Sequence, residues 1–194
     1  ISSEASAPTV TIKVTAKETV PSQPYNLTYD FTKAFTFKWS DVPDSDVMYY
    51  EIRTDTNIGS PVGLLGKTQS TSIDVNLMER KGTVYVYSVN TLKKYSYPAK
   101  VIYNYPKPDA PSYIHFTEAL RGVNVLVAPF PARVKSMRLY VEGGNVSKSF
   151  DLDNASYTFN GEPDIYEFWA SYVDLMGEGY TSVRYAYTIK PELN

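Results

Sequence analysis

The sequence predicts an all-β chain folded as two tandem β-sandwiches. Three observations carry this reading. Short runs alternate apolar and polar residues with a period of two, as half-buried strands do. A Pro-x-x-Pro-x-x-aliphatic mark stands at Pro21-Ser22-Gln23-Pro24-Tyr25-Asn26-Leu27 and again at Pro108-Asp109-Ala110-Pro111-Ser112-Tyr113-Ile114, followed each time by an aromatic residue, Tyr29 or Phe116. Tyrosine is heavily used, 18 of 194 residues, and no run has the periodicity of an amphipathic helix. Two prolines three apart cannot lie inside a paired strand, so each mark is an extended connector feeding a first edge strand. Its recurrence counts two small domains of about 85–90 residues each.

The elements of the first domain follow in order. Leu27 and Tyr29 open it. Phe35, Phe37 and Trp39 share one face, with Thr36 and Lys38 on the other. Met48, Tyr50 and Ile52 alternate with Tyr49, Glu51 and Arg53; Ile73 and Val75 form a short run. Tyr85, Tyr87 and Val89 alternate with Val84, Val86 and Ser88, and Val101, Tyr103 and Tyr105 make the last strand. Turn residues separate these runs at Asp41–Asp46, Asn57–Gly59, Lys81-Gly82 and Lys93-Lys94. The second domain repeats the order. Val123, Val125 and Val127 alternate, then Met137, Leu139 and Val141, and Gly143-Gly144-Asn145 is a hairpin signal. Phe150 and Leu152, Tyr157 and Phe159, and Tyr166, Phe168 and Ala170 follow, the last set matched to Tyr85, Tyr87 and Val89. Val183, Tyr185, Tyr187 and Ile189 close the domain. Regular short strands of this kind imply two-sheet sandwiches.

Residues 21–106 and 107–194 are the expected domains. Residues 1–20 are read separately. Ser6-Ala7-Pro8-Thr9-Val10-Thr11-Ile12 resembles Ser96-Tyr97-Pro98-Ala99-Lys100-Val101-Ile102, the last strand of the first domain. They are therefore expected to be the final strand of a preceding repeat or, in the other reading, an extra edge strand of the first domain.

Composition excludes several function classes. A net charge of −2 and a pI near 5.5 disfavour nucleic acid and anionic membrane surfaces, which need a basic footprint. No apolar run approaches the ~20 residues of a membrane-spanning helix, so no membrane insertion is expected. Cysteine is absent, so no disulfide or thiolate site supports either core.

The residues Pro24-x-x-Leu27, Trp39, Tyr50-Glu51-Ile52-Arg53, Tyr85-x-Tyr87-x-Val89-Asn90 and Ser96 together resemble fibronectin type III domains, an immunoglobulin-like sandwich. The resemblance implies that Trp39 packs between the sheets and that a tyrosine of the sixth strand sits in the core or at its corner. The second copy departs from the pattern. Val127 stands where Trp39 would, and the loop between Ser171 and Tyr180 is about five residues longer than its counterpart. The stretch from Trp39 to Arg53, with Leu64-Leu65-Gly66-Lys67-Thr68 and Gly82-x-x-Tyr85, is further similar to type III modules in tail-tip and host-specificity proteins of tailed bacteriophages. That likeness implies a virion component, often oligomeric around the tail axis, that spaces or presents host-contacting parts. The implied partners are other tail proteins, further repeats of the chain, or a bacterial surface protein or glycan. The alternative is an accessory or carbohydrate-binding module of a secreted bacterial enzyme or surface protein, extracellular or on the cell surface.

No reading of the residues supports catalysis. His115, the single histidine, lies in an alternating first strand without a nucleophile motif. Asp41, Asp44 and Asp46 could offer oxygen ligands to Ca²⁺, but lack EF-hand spacing and suit turn chemistry; Asp151, Asp153 and Asn154 read the same way. Paired carboxylates for glycoside hydrolysis need a cleft that a small packed sandwich lacks. The acceptor tripeptides at Asn26, Asn145 and Asn154 are close to the number expected by chance. The expectation is a non-enzyme with no cofactor and no metal. Contact then falls to exposed aromatics. Trp169, out of phase with Tyr166 and Phe168, is expected on the outer face. Tyr172, Leu175, Met176 and Tyr180 belong to the longest loop, whose apolar Leu175 and Met176 need cover. These five are the binding candidates; Tyr95 and Tyr97 flank the equivalent turn of the first domain.

Overall fold

Alternating strands with one apolar face can bury that face only against a second sheet. The computed structural model, which describes residues 19–191, resolves this as two sandwiches joined end to end. The segment 1–18, with most of the expected extra strand, lies outside the described residues.

The first sandwich contains β1 (Tyr25–Asp30), β2 (Phe35–Ser40), β3 (Val47–Arg53), β4 (Leu64–Thr68), β5 (Ser72–Val75), β6 (Lys81–Asn90) and β7 (Ala99–Asn104). A three-stranded sheet in the order β1-β2-β5 faces a four-stranded sheet in the order β4-β3-β6-β7. The second contains β8 (Ile114–Ala119), β9 (Gly122–Val127), β10 (Ser136–Gly143), β11 (Val146–Leu152), β12 (Ser156–Asn160), β13 (Asp164–Asp174), β14 (Gly177–Thr181) and β15 (Tyr185–Ile189). Its sheets run β12-β9-β8 and β11-β10-β13-β14, with β15 also on β13. All pairings are antiparallel, and each domain has the strand order of a fibronectin type III sandwich.

Between the sheets of the first domain lie Phe35, Phe37 and Trp39 of β2, Tyr50 and Ile52 of β3, Val84 and Val86 of β6, and Tyr103 and Tyr105. The second core is more aliphatic: Val123, Val125 and Val127, Met137, Leu139 and Val141, then Tyr166, Phe168, Ala170 and Tyr172 of β13. Trp39 lies between the sheets, as the resemblance implied, and packs edge-on to Tyr50. Gly144-Asn145 turns β10 into β11 with φ of 54° and 66°, a two-residue turn that needs left-handed backbone at both positions.

Four expectations change and one strand is added. Lys81-Gly82 is the start of β6 rather than a turn; the ring of Tyr103 packs where a Cβ of Gly82 would stand. The Leu64–Thr68 segment is a full strand on β3. Tyr85, Tyr87 and Val89 face outward, and the inward set is Val84, Val86 and Ser88, so the β6–β13 match is displaced by one residue. The corner hydroxyl belongs to Tyr166, which donates to the carbonyl of Glu162 (3.0 Å); in the first domain Tyr103 donates to Glu79 O (3.2 Å) in its place. Last, the region between Ser171 and Tyr180 is a β13–β14 hairpin, not a loop.

A shared serine fixes the one-residue correction. Ser96 Oγ accepts from Ser88 N (3.0 Å) and donates to Tyr97 O, while Ser182 Oγ accepts from Ala170 N (3.1 Å) and donates to Val183 O. Ser96 N returns a bond to Ser88 O and Ser182 N to Ala170 O. Each serine fills the hydrogen-bond gap where the last edge of the sheet leaves regular pairing. Ser88 therefore corresponds to Ala170.

Candidate functional site: the interdomain joint and the outer aromatic faces

The five binding candidates do not form one surface. Tyr172 continues the inward phase of Tyr166, Phe168 and Ala170 and is 3 % exposed. Its hydroxyl lies 2.7 Å from Ala128 O and 3.0 Å from Pro129 O, and burial raises its pKa. It is a core residue, not a contact residue. The period of two, carried two residues past Ala170, marks it in the sequence.

Leu175 and Met176 are covered by the other domain of the same chain. They form the tip of the β13–β14 hairpin and pack against the core of the first sandwich at its base. Asp174 precedes them, with its carboxylate fully buried. Arg80, in the connection before β6, donates from both terminal nitrogens to it, Nη1 to Oδ2 at 2.7 Å and Nη2 to Oδ1 at 3.0 Å. This bidentate geometry is the strongest arrangement of an arginine–carboxylate pair. The hydrogen bond to Asp174 raises the Arg80 pKa, so the cation is fixed. Leu175 N donates to the Tyr105 hydroxyl (3.3 Å), and Met176 N to Asp174 Oδ1 (2.8 Å). Two guanidinium groups, Arg80 at 5.6 Å and Arg133 at 4.8 Å, lie over the Tyr105 ring.

The β9–β10 connection closes the other side. Arg133 Nη2 donates to Pro106 O (2.6 Å) and Lys135 Nζ to Lys33 O (3.2 Å). The linker is held as well: Tyr180 N donates to Pro108 O (3.0 Å), and Gly179 allows the approach, because a Cβ there would stand 2.7 Å from that carbonyl. Tyr180 itself is 57 % exposed, with Lys107 Nζ 4.7 Å from its ring centre.

Trp169 lies on the outer face of the second domain, half-buried in a ladder. Tyr140, its cross-strand partner on β10, stacks parallel to it at 5.3 Å, and the Arg184 guanidinium lies 4.0 Å from its ring centre. These partners come from opposite sides of β13, so the indole is flanked on both. Arg184 pairs with Glu142 and Glu167 (2.7 Å each). Beyond Tyr140, Glu178 accepts from Tyr140, Ser171 and Arg138. Burial pushes the Glu178 carboxyl up, but those hydrogen bonds and the Arg138 charge outweigh it, and its net shift is downward.

The corresponding face of the first domain holds a site that the sequence reading missed. Glu51 and Arg53 point away from the core, yet each is 1 % exposed. The β3–β4 connection folds over them. Arg53 donates to Asp55, Glu51, Ser60 O and Val62 O, at 2.6–3.0 Å. Glu51 also accepts from Tyr95 (3.0 Å) and pairs with Lys67 (3.2 Å). Every partner of the guanidinium is a structural one, so the network pins the loop and leaves no nucleophile–base pair.

The remaining candidates are equally structural. Asp41 accepts from Tyr50 (2.6 Å) and Val42 N, Asp44 from Ser22 N (2.8 Å), and Asp46 from Asn90 (3.3 Å). Among the described residues no three His, Asp or Glu side chains are arranged to hold a metal ion. His115 is exposed and rests against Tyr113 at 4.5 Å.

No family model matches the sequence, and no curated protein matches it. Among solved structures the fold is similar to a two-domain fibronectin type III segment of chicken tenascin, with 17 % identity, 86 % of this chain and 99 % of that chain covered, and a TM-score of 0.43. It is also similar to the first three fibronectin type III domains of chicken CNTN1, with 11 % identity, 89 % and 69 % covered, and a TM-score of 0.44.

Proposed function

We propose that this chain is a non-enzymatic rigid spacer, two fibronectin-type-III-like sandwiches locked end to end, in the tail of a bacteriophage. The observation that carries the spacer reading is the joint. A bidentate ion pair, an apolar hairpin tip and three linker contacts leave little freedom for bending between the domains. The tail assignment is supported by the likeness of the Trp39–Arg53 and Leu64–Thr68 segments to tail-tip and host-specificity modules. Those residues include the β3 and β4 strands, which flank the pinned loop at 54–63 with its exposed Ile58 and Val62.

Small-angle scattering and amide ¹⁵N relaxation on the two-domain chain test the spacer reading. One rotational correlation time for both domains is expected; two times, or a scattering curve that needs an ensemble of bent forms, would overturn it. Antiserum to the chain tests the tail assignment, with labelled tails expected in electron micrographs and label on cell surfaces alone counting against it. A glycan-array signal abolished by Trp169→Ala would replace this reading with a carbohydrate-binding one.

A further inference from the structure

The two cores meet the joint differently. The base of the first core is a cluster of aromatic rings, Phe31, Phe35 and Tyr105, with centroids 5.1, 5.2 and 5.8 Å apart. Residues of the second domain cover it. Leu175 and Met176 pack against this core, Leu175 N donates to the Tyr105 hydroxyl (3.3 Å), and the Arg133 guanidinium lies 4.8 Å from the Tyr105 ring centre. With that cover in place, Tyr105 is 2 % exposed.

The second core is closed at the joint by its own residues. The Tyr172 hydroxyl donates to Ala128 O (2.7 Å), Phe130 meets the Tyr172 ring edge-on at 5.9 Å, and Val134 packs against the same core. Among the described residues, no apolar side chain of the first domain lies against it. What the first domain and the linker give in return is polar: the Arg80 guanidinium to Asp174, and the carbonyls of Lys33, Pro106 and Pro108. When the domains part, Asp174 and the donors to those carbonyls exchange their bonds for bonds to water, at a small net cost. The aromatic base of the first core instead becomes an open apolar patch, and its burial is lost outright.

We infer that the second domain is a folding template for the first: it keeps a complete core by itself, and its Leu175-Met176 tip completes the core of the first. Linkage makes the coupling energy across the joint reciprocal. What differs is the stability each domain keeps without the other, and the first keeps less. A chain is made from its N-terminus, and domains fold as they emerge. The first domain therefore forms early but reaches its full stability only once β13 and β14 are in place. This template role shares the joint with the spacer reading but not its stiffness, which scattering and correlation times judge separately.

The test is a urea titration of the whole chain followed by amide ¹H–¹⁵N spectra, which report both domains in one molecule. Leu175→Ala with Met176→Ala removes the apolar cover; Asp174→Ala removes the ion pair and keeps the cover. All three positions belong to the second domain, yet the first should unfold earlier in each variant. At the urea concentration that half-unfolds the first domain, folded molecules should outnumber unfolded ones at least ~tenfold in the second. Native-like signals of Val125, Leu139 and Phe168 should then persist after those of Phe37, Ile52 and Val86 are lost. Persistence of the second domain's spectrum shows that the changes at the tip have not unfolded the domain that carries them. Loss of the second domain first in either variant, or loss of both domains at one urea concentration in both variants, would overturn the inference.

Discussion

Removing the Asp174 carboxylate should unlock the two domains without unfolding either. Asp174→Ala deletes both bonds to Arg80 and the acceptor for Met176 N. Breaking a fully buried ion pair by deleting one partner costs about 3–5 kcal/mol. Arg80 is about a quarter exposed and keeps the Tyr105 carbonyl and ring beside it, so the charge loss is nearer ~2 kcal/mol. The orphaned Met176 amide adds about 1 kcal/mol. A total near 3 kcal/mol shifts the closed-to-open ratio of the joint by about two orders of magnitude. The chain supplies its own reporters, because its two tryptophans, Trp39 and Trp169, stand one in each domain. With Trp169→Phe the signal follows the first domain in urea, and with Trp39→Phe the second. The wild-type transitions should be coupled, and Asp174→Ala should separate their midpoints and give each domain its own correlation time. An Asp174→Ala chain with coupled transitions, unchanged within about 0.5 kcal/mol, and one correlation time would refute the claim that this pair holds the joint.

Ser96→Ala leaves the buried Ser88 amide without an acceptor and should destabilise the first domain by about 1–2 kcal/mol; Ser182→Ala should do the same, less severely, to the second, both read from urea midpoints. Tyr50 is pushed up to about 12, chiefly by burial and then by its bond to Asp41. Its folded pKa is raised above the ordinary 10.0, so its contribution is complete below pH 10 and is lost as pH climbs toward 12. Tyr50→Phe should flatten the alkaline limb of the first domain's stability profile. Glu178 shifts the other way, below its ordinary 4.5, so its contribution is present above that pH and lost as pH falls through the lower folded value. Glu178→Gln should flatten the acid limb of the second domain, measured by thermal unfolding between pH 2 and pH 5.

What the sequence made legible depended on whether the two phases of a strand differ chemically. Along β2 they do: Phe35, Phe37 and Trp39 against Thr36 and Lys38 leave one possible inward face. Along β6 they do not, since Val84 and Val86 compete with Tyr85 and Tyr87, and both sets are largely covered. Hydrophobicity alone cannot choose, and a one-residue slip exchanges every side chain between faces. The structure chooses through Ser96 and Ser88, a polar contact that alternation does not register. Arg53 and Glu51 were hidden for a related reason. They stand in the outward phase of β3, but outward means exposed only if nothing folds over the sheet, and the residues at 54–63 do. Leu175 and Met176 were rightly seen to need cover. That the cover is the first domain required knowing that Arg80, far earlier in the chain, meets Asp174.

The joint also constrains where any adhesive contact can lie. Loops at the ends of a sandwich are its usual contact surfaces, because the strands hold them rigidly while their sequences vary freely. Here the second domain's β13–β14 hairpin and its β9–β10 connection are both committed to the first domain. Trp169, the one indole on an outer face, is flanked by Tyr140 and Arg184. Among the described residues, the surfaces left for another molecule include the pinned β3–β4 loop, with Ile58 and Val62, the Lys93-Lys94 turn, and the base around Leu120. All three are held from behind by buried polar side chains or strand pairing, which lowers the entropy lost on contact. On the proposed spacer reading, surfaces held this way at the poles and flank of the two sandwiches would fix distance and orientation between neighbouring molecules.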